Sequence, residues 1–273
     1  MNKALLRLFS WVILGVAIVL ILYPLYQLLI LSLRPVDDIT AYISQIENRA
    51  LRFIPGYFIP NAFSLEQYAL TMTDTFLRAY FVAILYTISI TVMHFPVALV
   101  LGFVFSKTHF KGRNPLFFLF LAAMVLPFHV TLVPMHQILS HLQLFDTPWA
   151  VILPSVFSPL GVFLVRQFFR QIPNEVLEAA SIDGAGLLRT IISIMIPMAR
   201  HGLAMFFLLT LALQWSAIEP ALAFIRSDEW KPISITLRAQ MENSTAQIFA
   251  PSVLYIIPMI ILFKITSQNK PEL

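Results

Sequence analysis

A chain of 273 residues that is 59% hydrophobic and only 12% charged cannot hide its apolar surface in one soluble core. Soluble domains carry about 25% charged residues, so the surplus here must face lipid or neighbouring spans. The formal net charge of +4, with no basic stripe interleaved with aromatics, is too small to argue for a nucleic-acid partner, and none is expected; with no cysteine there is no disulfide or thiolate–metal framework.

A membrane-crossing helix needs roughly 20 mostly apolar residues, and runs free of charge, the fifth broken only by Glu219, predict six. Leu8 to Leu33 is the first and Ala79 to Ser106 the second. Asn114 to Phe145 is too long for one crossing and reads as a span to about Met135 followed by an interfacial stretch. Thr147 to Val165, Gly202 to Ile225 and Asn243 to Phe263 complete the set. The expected fold is all-α and polytopic, one membrane domain over residues 1–273. Lys3 and Arg7 precede an apolar run too long for a signal peptide, so the first helix is expected to be retained. Pro24, Pro96, Pro127, Pro134, Pro154, Pro159, Pro220 and Pro258 fall inside these runs, where each removes a backbone donor and tends to kink its helix.

Basic residues set the orientation. With both termini inside, eleven of the 18 Lys and Arg lie on the inner segments and seven on the outer ones. The loop Lys107–Arg113 and the segment 171–186 are then cytoplasmic, and Asn48 and Ser227 lie outside. Residues from about 34 to 78 form a long extracytoplasmic loop with Pro55, Gly56 and Pro60 at its middle, a length that in compact proteins is often functional.

The segment from about 166 to 200 differs from the rest. Pro173 suits the first position of a helix. Glu175 and Glu178 are expected near its positive end, and Gly184 and Gly186 supply a stop and a turn. Val176, Ala179, Ala180 and Asp183 recur at helical spacing, giving a face of mostly small side chains that another surface can approach.

Glu178-Ala179-Ala180, then three residues to Gly184, nine more to Ile194, and Pro197 resembles the EAA loop of bacterial ABC-transporter permeases, with Ile196 in place of the usual Leu. The resemblance implies a cytoplasmic coupling helix that contacts an ATPase subunit through Glu178, Ala179, Ala180, Asp183, Gly184 and Pro197. Further stretches resemble the carbohydrate-importer branch typified by the maltose-transporter G subunit: Tyr23-Pro24-Leu25, Leu31 to Arg34, Ser64-Leu-Glu-Gln-Tyr68, Phe110-Lys111-Gly112-Arg113, Val133-Pro134 and Leu144-Phe145-Asp146-Thr147. Two stretches depart from it. Ser216, Ala217 and Ile218 follow Trp215 where that branch shows Asn and an acidic residue, and the C-terminal end, Ser267 to Leu273, lacks its Gly- and aromatic-rich tail.

What the resemblance implies is a permease subunit that imports a sugar or sugar-like solute across the bacterial inner membrane by alternating access. A polyol, sugar phosphate or sulfonated sugar is the alternative solute. The implied partners are a paralogous permease, two copies of a cytoplasmic ATPase, an extracytoplasmic solute-binding protein and the bilayer. ATP and Mg belong to the ATPase subunits, and no cofactor or metal is expected in this chain. No glycine is followed by lysine, so there is no phosphate-binding P-loop. No nucleophile, acid and base cluster as an enzyme would require. An ion-coupled transporter carries titratable groups deep in its spans, and Glu219 is the one carboxylate in an apolar run. Trp215 and Glu219 are candidate pathway residues, while His129, His136 and His141 read as packing or interfacial side chains without a carboxylate set to complete a metal site.

Overall fold

The computed structural model describes residues 3–48, 62–243 and 245–268, and among them there are helices and turns but no strand. Two compact units are formed: Met1–Leu77 with Thr236–Leu273, and Arg78–Ile235.

In the first unit, α1 (Lys3–Ser32) is an apolar helix that runs through Pro24 without a break. Only 6% of its apolar stretch is buried in the chain, so its surface is available to lipid or other subunits. It packs on the last helix, α15 (Phe249–Gln268). The expected long loop contains two helices where described, α2 (Val36–Asn48) and α3 (Glu66–Thr71). Pro55, Gly56, Pro60, Arg49 and Arg52 lie outside the described residues, as do Lys270 and the rest of the C-terminal end from 269.

The Ser64–Tyr68 stretch clasps the end of α1. Gln67 donates through Nε2 to the carbonyls of Leu31 (2.7 Å) and Arg34 (2.8 Å), and the hydroxyls of Tyr68 and Ser32 are 2.8 Å apart. The Ser64 amide donates to the Leu33 carbonyl at 2.8 Å. A helix leaves its last carbonyls without intrahelical donors, and these side chains supply them. Glu66 accepts from the Val36 amide at the start of α2, where a carboxylate complements the helix dipole.

The second unit holds most of α4 (Asp74–Lys107), then α5 (Arg113–Ala122), α6 (Phe128–His141), α7 (Pro148–Val156), α8 (Pro159–Arg170) and α9 (Asn174–Ile182). Next come α10 (Leu187–Thr190), a π-helical turn (Ile191–Met195), α11 (Ile196–Met198), α12 (Arg200–Trp215), α13 (Glu219–Phe224) and the start of α14 (Ile233–Asn243). Its larger core brings together α4, α5, α8 and α12 through Ala98, Phe103, Phe117, Val165, Phe169 and Phe206. At 1.5 Å per residue the 34 residues of α4 extend about 51 Å, more than the hydrocarbon thickness of about 30 Å.

Three segments among the described residues are long and apolar enough to cross a membrane by themselves: Phe9–Ser32, Asp74–Lys107 and Pro148–Arg170. Two more are bent pairs. The third expected span does not continue to Met135. It ends at Val125, and α6 leaves Pro127 at 101° to what precedes it. The fifth is shorter than Gly202 to Ile225: α12 stops at Trp215, after a 91° bend from Leu187–Met198. The sixth begins at Phe249 rather than Asn243, with an apolar stretch Phe249–Ile265. Proline explains the breaks unevenly. Pro127, Pro159 and Pro220 sit at helix starts, where their missing amide costs nothing, whereas Pro24, Pro96 and Pro258 lie inside unbroken helices.

Candidate functional site

α9 is built as its sequence demands at both ends. Pro173 (φ −59°, ψ 145°) stands just before the first helical residue, one place earlier than expected, and Glu175 lies in the first turn. Glu178 is the fifth residue, beyond the reach of the helix's positive end. At the other end Gly184 is left-handed, with φ +74°. Its amide donates to Ser181 and that of Ala185 to Ala180, at 3.1 and 2.9 Å. Those two bonds are the Schellman closure, which takes up the terminal carbonyls and in which glycine carries no Cβ penalty.

The two faces of α9 differ from the face expected. Ala180 is 6% exposed and turned into its own chain, near Leu177, which packs on the larger core. It does not share an open surface with Ala179 and Asp183. The open side carries Glu175, Glu178, Ala179 and Asp183, together with Ile182 at 86% exposure. Ile182 is the last residue of α9, and an isoleucine left so exposed is available to a surface outside this chain. It went unremarked in the sequence because it falls outside the E-A-A triplet.

Beyond Gly186 the chain widens into the π turn Ile191–Met195, where the Ile196 amide donates to Ile191. Pro197 comes immediately after; it has no amide and its ring crowds the carbonyl four residues back, so a wider turn accommodates it. Pro197 itself is exposed.

Two cations tie the last turn of α4 to this region. Lys107 Nζ donates to the Ile172 carbonyl and to Asn174 Oδ1, the latter at 2.9 Å. Arg166 Nε donates to the Phe105 carbonyl at 3.1 Å, with its guanidinium 3.9 Å from the centre of the Phe117 ring.

A second feature lies deeper in the spans. His94 is 1% exposed, and its Nδ1 is 2.6 Å from the Val156 carbonyl. Val156 closes α7, and the break at Phe157–Ser158 deprives its carbonyl of a helical donor, so the Nδ1–H tautomer satisfies it. Irregular backbone inside a bilayer is tolerated only where such partners exist. A cleft here is lined by His94, Ser158, Phe206, Thr210 and Gln214, with Gly161 against the imidazole. A Cβ at Gly161 would come within 2.1 Å of His94 Nε2, so the ring can occupy its place only beside glycine. Counted from Lys107, Arg170 and Arg200, the residues His94, Ser158 and Thr210 lie about 20, 18 and 15 Å along their helices, a common depth. No Lys, Arg, Asp or Glu lines the cleft. A lone histidine in an apolar run gives no periodic signal, and His94 was not singled out from the sequence.

Trp215 is 3% exposed, edge-on to Tyr80 with ring centres 5.5 Å apart. It borders a second recess with Tyr86 and Ser155, and Gln214 lines both recess and cleft. Glu219 is exposed at the first position of α13 and lines neither. The two candidate pathway residues therefore do not line a common recess. His136 meets Phe145 edge-on with ring centres 4.8 Å apart, and among the described residues no three His, Asp or Glu side chains gather as a metal site.

Comparison with known proteins agrees with this architecture. The arabinooligosaccharides transport system permease protein AraQ of Halalkalibacterium halodurans is 29% identical over 262 residues, 93% of this chain and 90% of the relative. The sn-glycerol-3-phosphate transport system permease protein UgpE of Yersinia pestis bv. Antiqua is 28% identical over 278 residues, 96% of this chain and 93% of the relative. A crystal structure of a bacterial ABC transporter involved in import of the acidic polysaccharide alginate contains a chain of the same fold, with TM-score 0.85, 20% identity and 99% of both chains covered. Residues 94–268 match the family described as binding-protein-dependent transport system inner membrane component, and this chain is a member of that family, a multi-pass permease of an ABC importer.

Proposed function

We propose that this chain is one permease subunit of a sugar importer, paired with a paralogous permease, driven by two cytoplasmic ATPase subunits and supplied by an extracytoplasmic binding protein. The observation that carries the coupling role is α9, a short helix closed at Gly184 that presents Glu175, Glu178, Ala179 and Ile182 outward while Leu177 and Ala180 anchor it inward. Closure of the ATPase pair on ATP and Mg moves α9 and, with it, the spans. The permease pair then opens outward to receive solute, and hydrolysis returns it inward. Both termini, Lys107–Arg113 and α9 face the cytoplasm.

The likeness to an arabinooligosaccharide permease supports a neutral polyhydroxylated solute, and the likeness to a glycerol-phosphate permease supports a sugar phosphate as the second reading. Trp215 and Gln214 extend the solute's pathway from the His94 cleft, and Glu219 serves at its exposed end.

The complex carrying Ala179→Trp tests the docking role. The indole would hold the ATPase surface away, so the purified permease pair should lose its ATPase subunits and uptake while still inserting and pairing. Wild-type ATPase stoichiometry and uptake would contradict it.

A further inference from the structure

We infer that Lys107 is a positioning residue that couples α9 to the second span, so that displacement of α9 reaches α4 directly and not only through the covalent link to α8. Its ammonium joins three chain segments at one point. It ends α4, where a cation is favoured by the helix dipole. It donates to the carbonyl of Ile172, which is buried between α8 and α9, and to Asn174 Oδ1 on the first residue of α9. Ile172 is followed by Pro173, which carries no amide, and Asn174 opens the helix. The bonds therefore hold the root of α9 rather than its exposed tip, which is where a rigid helix must be held to transmit a push. Charge-assisted bonds of this kind are stronger than neutral ones.

Arg166 makes a parallel tie one turn earlier, from α8 to the Phe105 carbonyl of α4. Without Lys107, α4 and α8 remain joined and the fold keeps its larger core, Ile172 included, but the hydrogen bonds from α4 to the root of α9 are lost. In the Lys107→Met protein the ATPase should still dock and hydrolyse, because the exposed face of α9 is untouched, and solute moved per ATP should fall. The inference presupposes that α9 docks an ATPase, as proposed above.

The test uses the complete complex in lipid vesicles, with uptake and binding-protein-stimulated hydrolysis measured on the same preparation. Lys107→Met should lower solute moved per ATP by about fivefold, within the range over which single side chains in a packed network alter coupling. Lys107→Arg should restore most of it, and Asn174→Ala, which leaves the Ile172 carbonyl in place, should give an intermediate loss. The charge-matched control Lys111→Met, at an exposed position, should behave as wild type. A wild-type ratio in Lys107→Met would overturn the inference. So would a fall of uptake and hydrolysis together in proportion to assembled complex, which would make Lys107 a fold residue only. If the wild-type permease itself fails to hold an ATPase, the docking role falls instead, and the two failures are distinct.

Discussion

Two helix ends in the Arg78–Ile235 unit close with the same pair of bonds. At the end of α9, Ala185 donates to Ala180 and Gly184 to Ser181; at the end of α6, Leu144 donates to Leu139 and Gln143 to Ser140. The left-handed position is glycine in one, φ +74°, and glutamine in the other, φ +55°. The two turns lead into different surroundings. After α6, Leu144 and Phe145 pack against the cluster of Leu139, Ala150 and Phe224. Asp146, itself left-handed at φ +60°, then fastens the chain. Its Oδ1 accepts from the amides of Arg226 and Ser227 at 2.8 and 2.9 Å and from the Ser227 hydroxyl at 3.0 Å. After α9, by contrast, residues 181–184 and 186–189 are exposed or only partly covered. Left-handed non-glycine residues persist where their surroundings over-determine them. The α6 end is held by packing and can carry strained side chains. The α9 end is held by little beyond its own two bonds, so it depends on glycine there.

Substitution at Gly184 should break the α9 end most severely. Gly184→Pro removes the donor to Ser181 and fixes φ near −65°, a local penalty of about 3 kcal/mol, and should abolish binding-protein-stimulated hydrolysis while the permease still inserts. Gly184→Ala meets no neighbour, since nothing lies within 4 Å of the added Cβ. Its cost is conformational, about 1 kcal/mol, and should reduce stimulated hydrolysis without abolishing it. Gln143→Gly, the converse change at the α6 end, should relieve strain, shift stability by less than about 1 kcal/mol and leave hydrolysis unaltered.

Asp146 sharpens the same comparison through pH. The amides of Ser227 and Arg226 hold its carboxyl below the usual carboxylate range. A group whose folded pKa is lowered stabilises the fold above its unfolded pKa, about 3.9, and loses that contribution as pH falls through the lower folded value. Asp146→Asn keeps a residue that tolerates φ > 0 but removes the charge. It should lower the thermal midpoint by a few degrees at pH 7, and the gap from wild type should close in acid as Asp146 is protonated. An undiminished gap below the carboxylate range would remove the anion from the account. Solute moved per ATP should not change at pH 7.

The ends of α9 were legible in the sequence because Pro173 and Gly184 act locally, through one missing amide and one missing Cβ. The facing of Ala180 was not. Adjacent alanines are chemically equal, and only the packing of Leu177, three residues earlier, decides which turns inward. Span lengths were misjudged where apolar runs continue across breaks, as at Pro127 and after Trp215, because a charge count registers polarity and not the direction of the chain. The motif Ser64–Tyr68 was visible as a family likeness, yet its physical work, closing the carbonyls of α1, required knowing that the two segments meet. His94 escaped for the same reason: its partner, the Val156 carbonyl, is orphaned by a break 62 residues away.

The absence of native cysteine allows the central claim, that the open face of α9 is the ATPase docking surface, to be measured with one thiol at a time. Ile182→Cys should react readily with a water-soluble maleimide in the isolated permease pair and be protected once the ATPase subunits are added. Ala180→Cys, facing its own chain, should react slowly in both states. Equal reactivity of Ile182→Cys with and without the ATPase would contradict the claim.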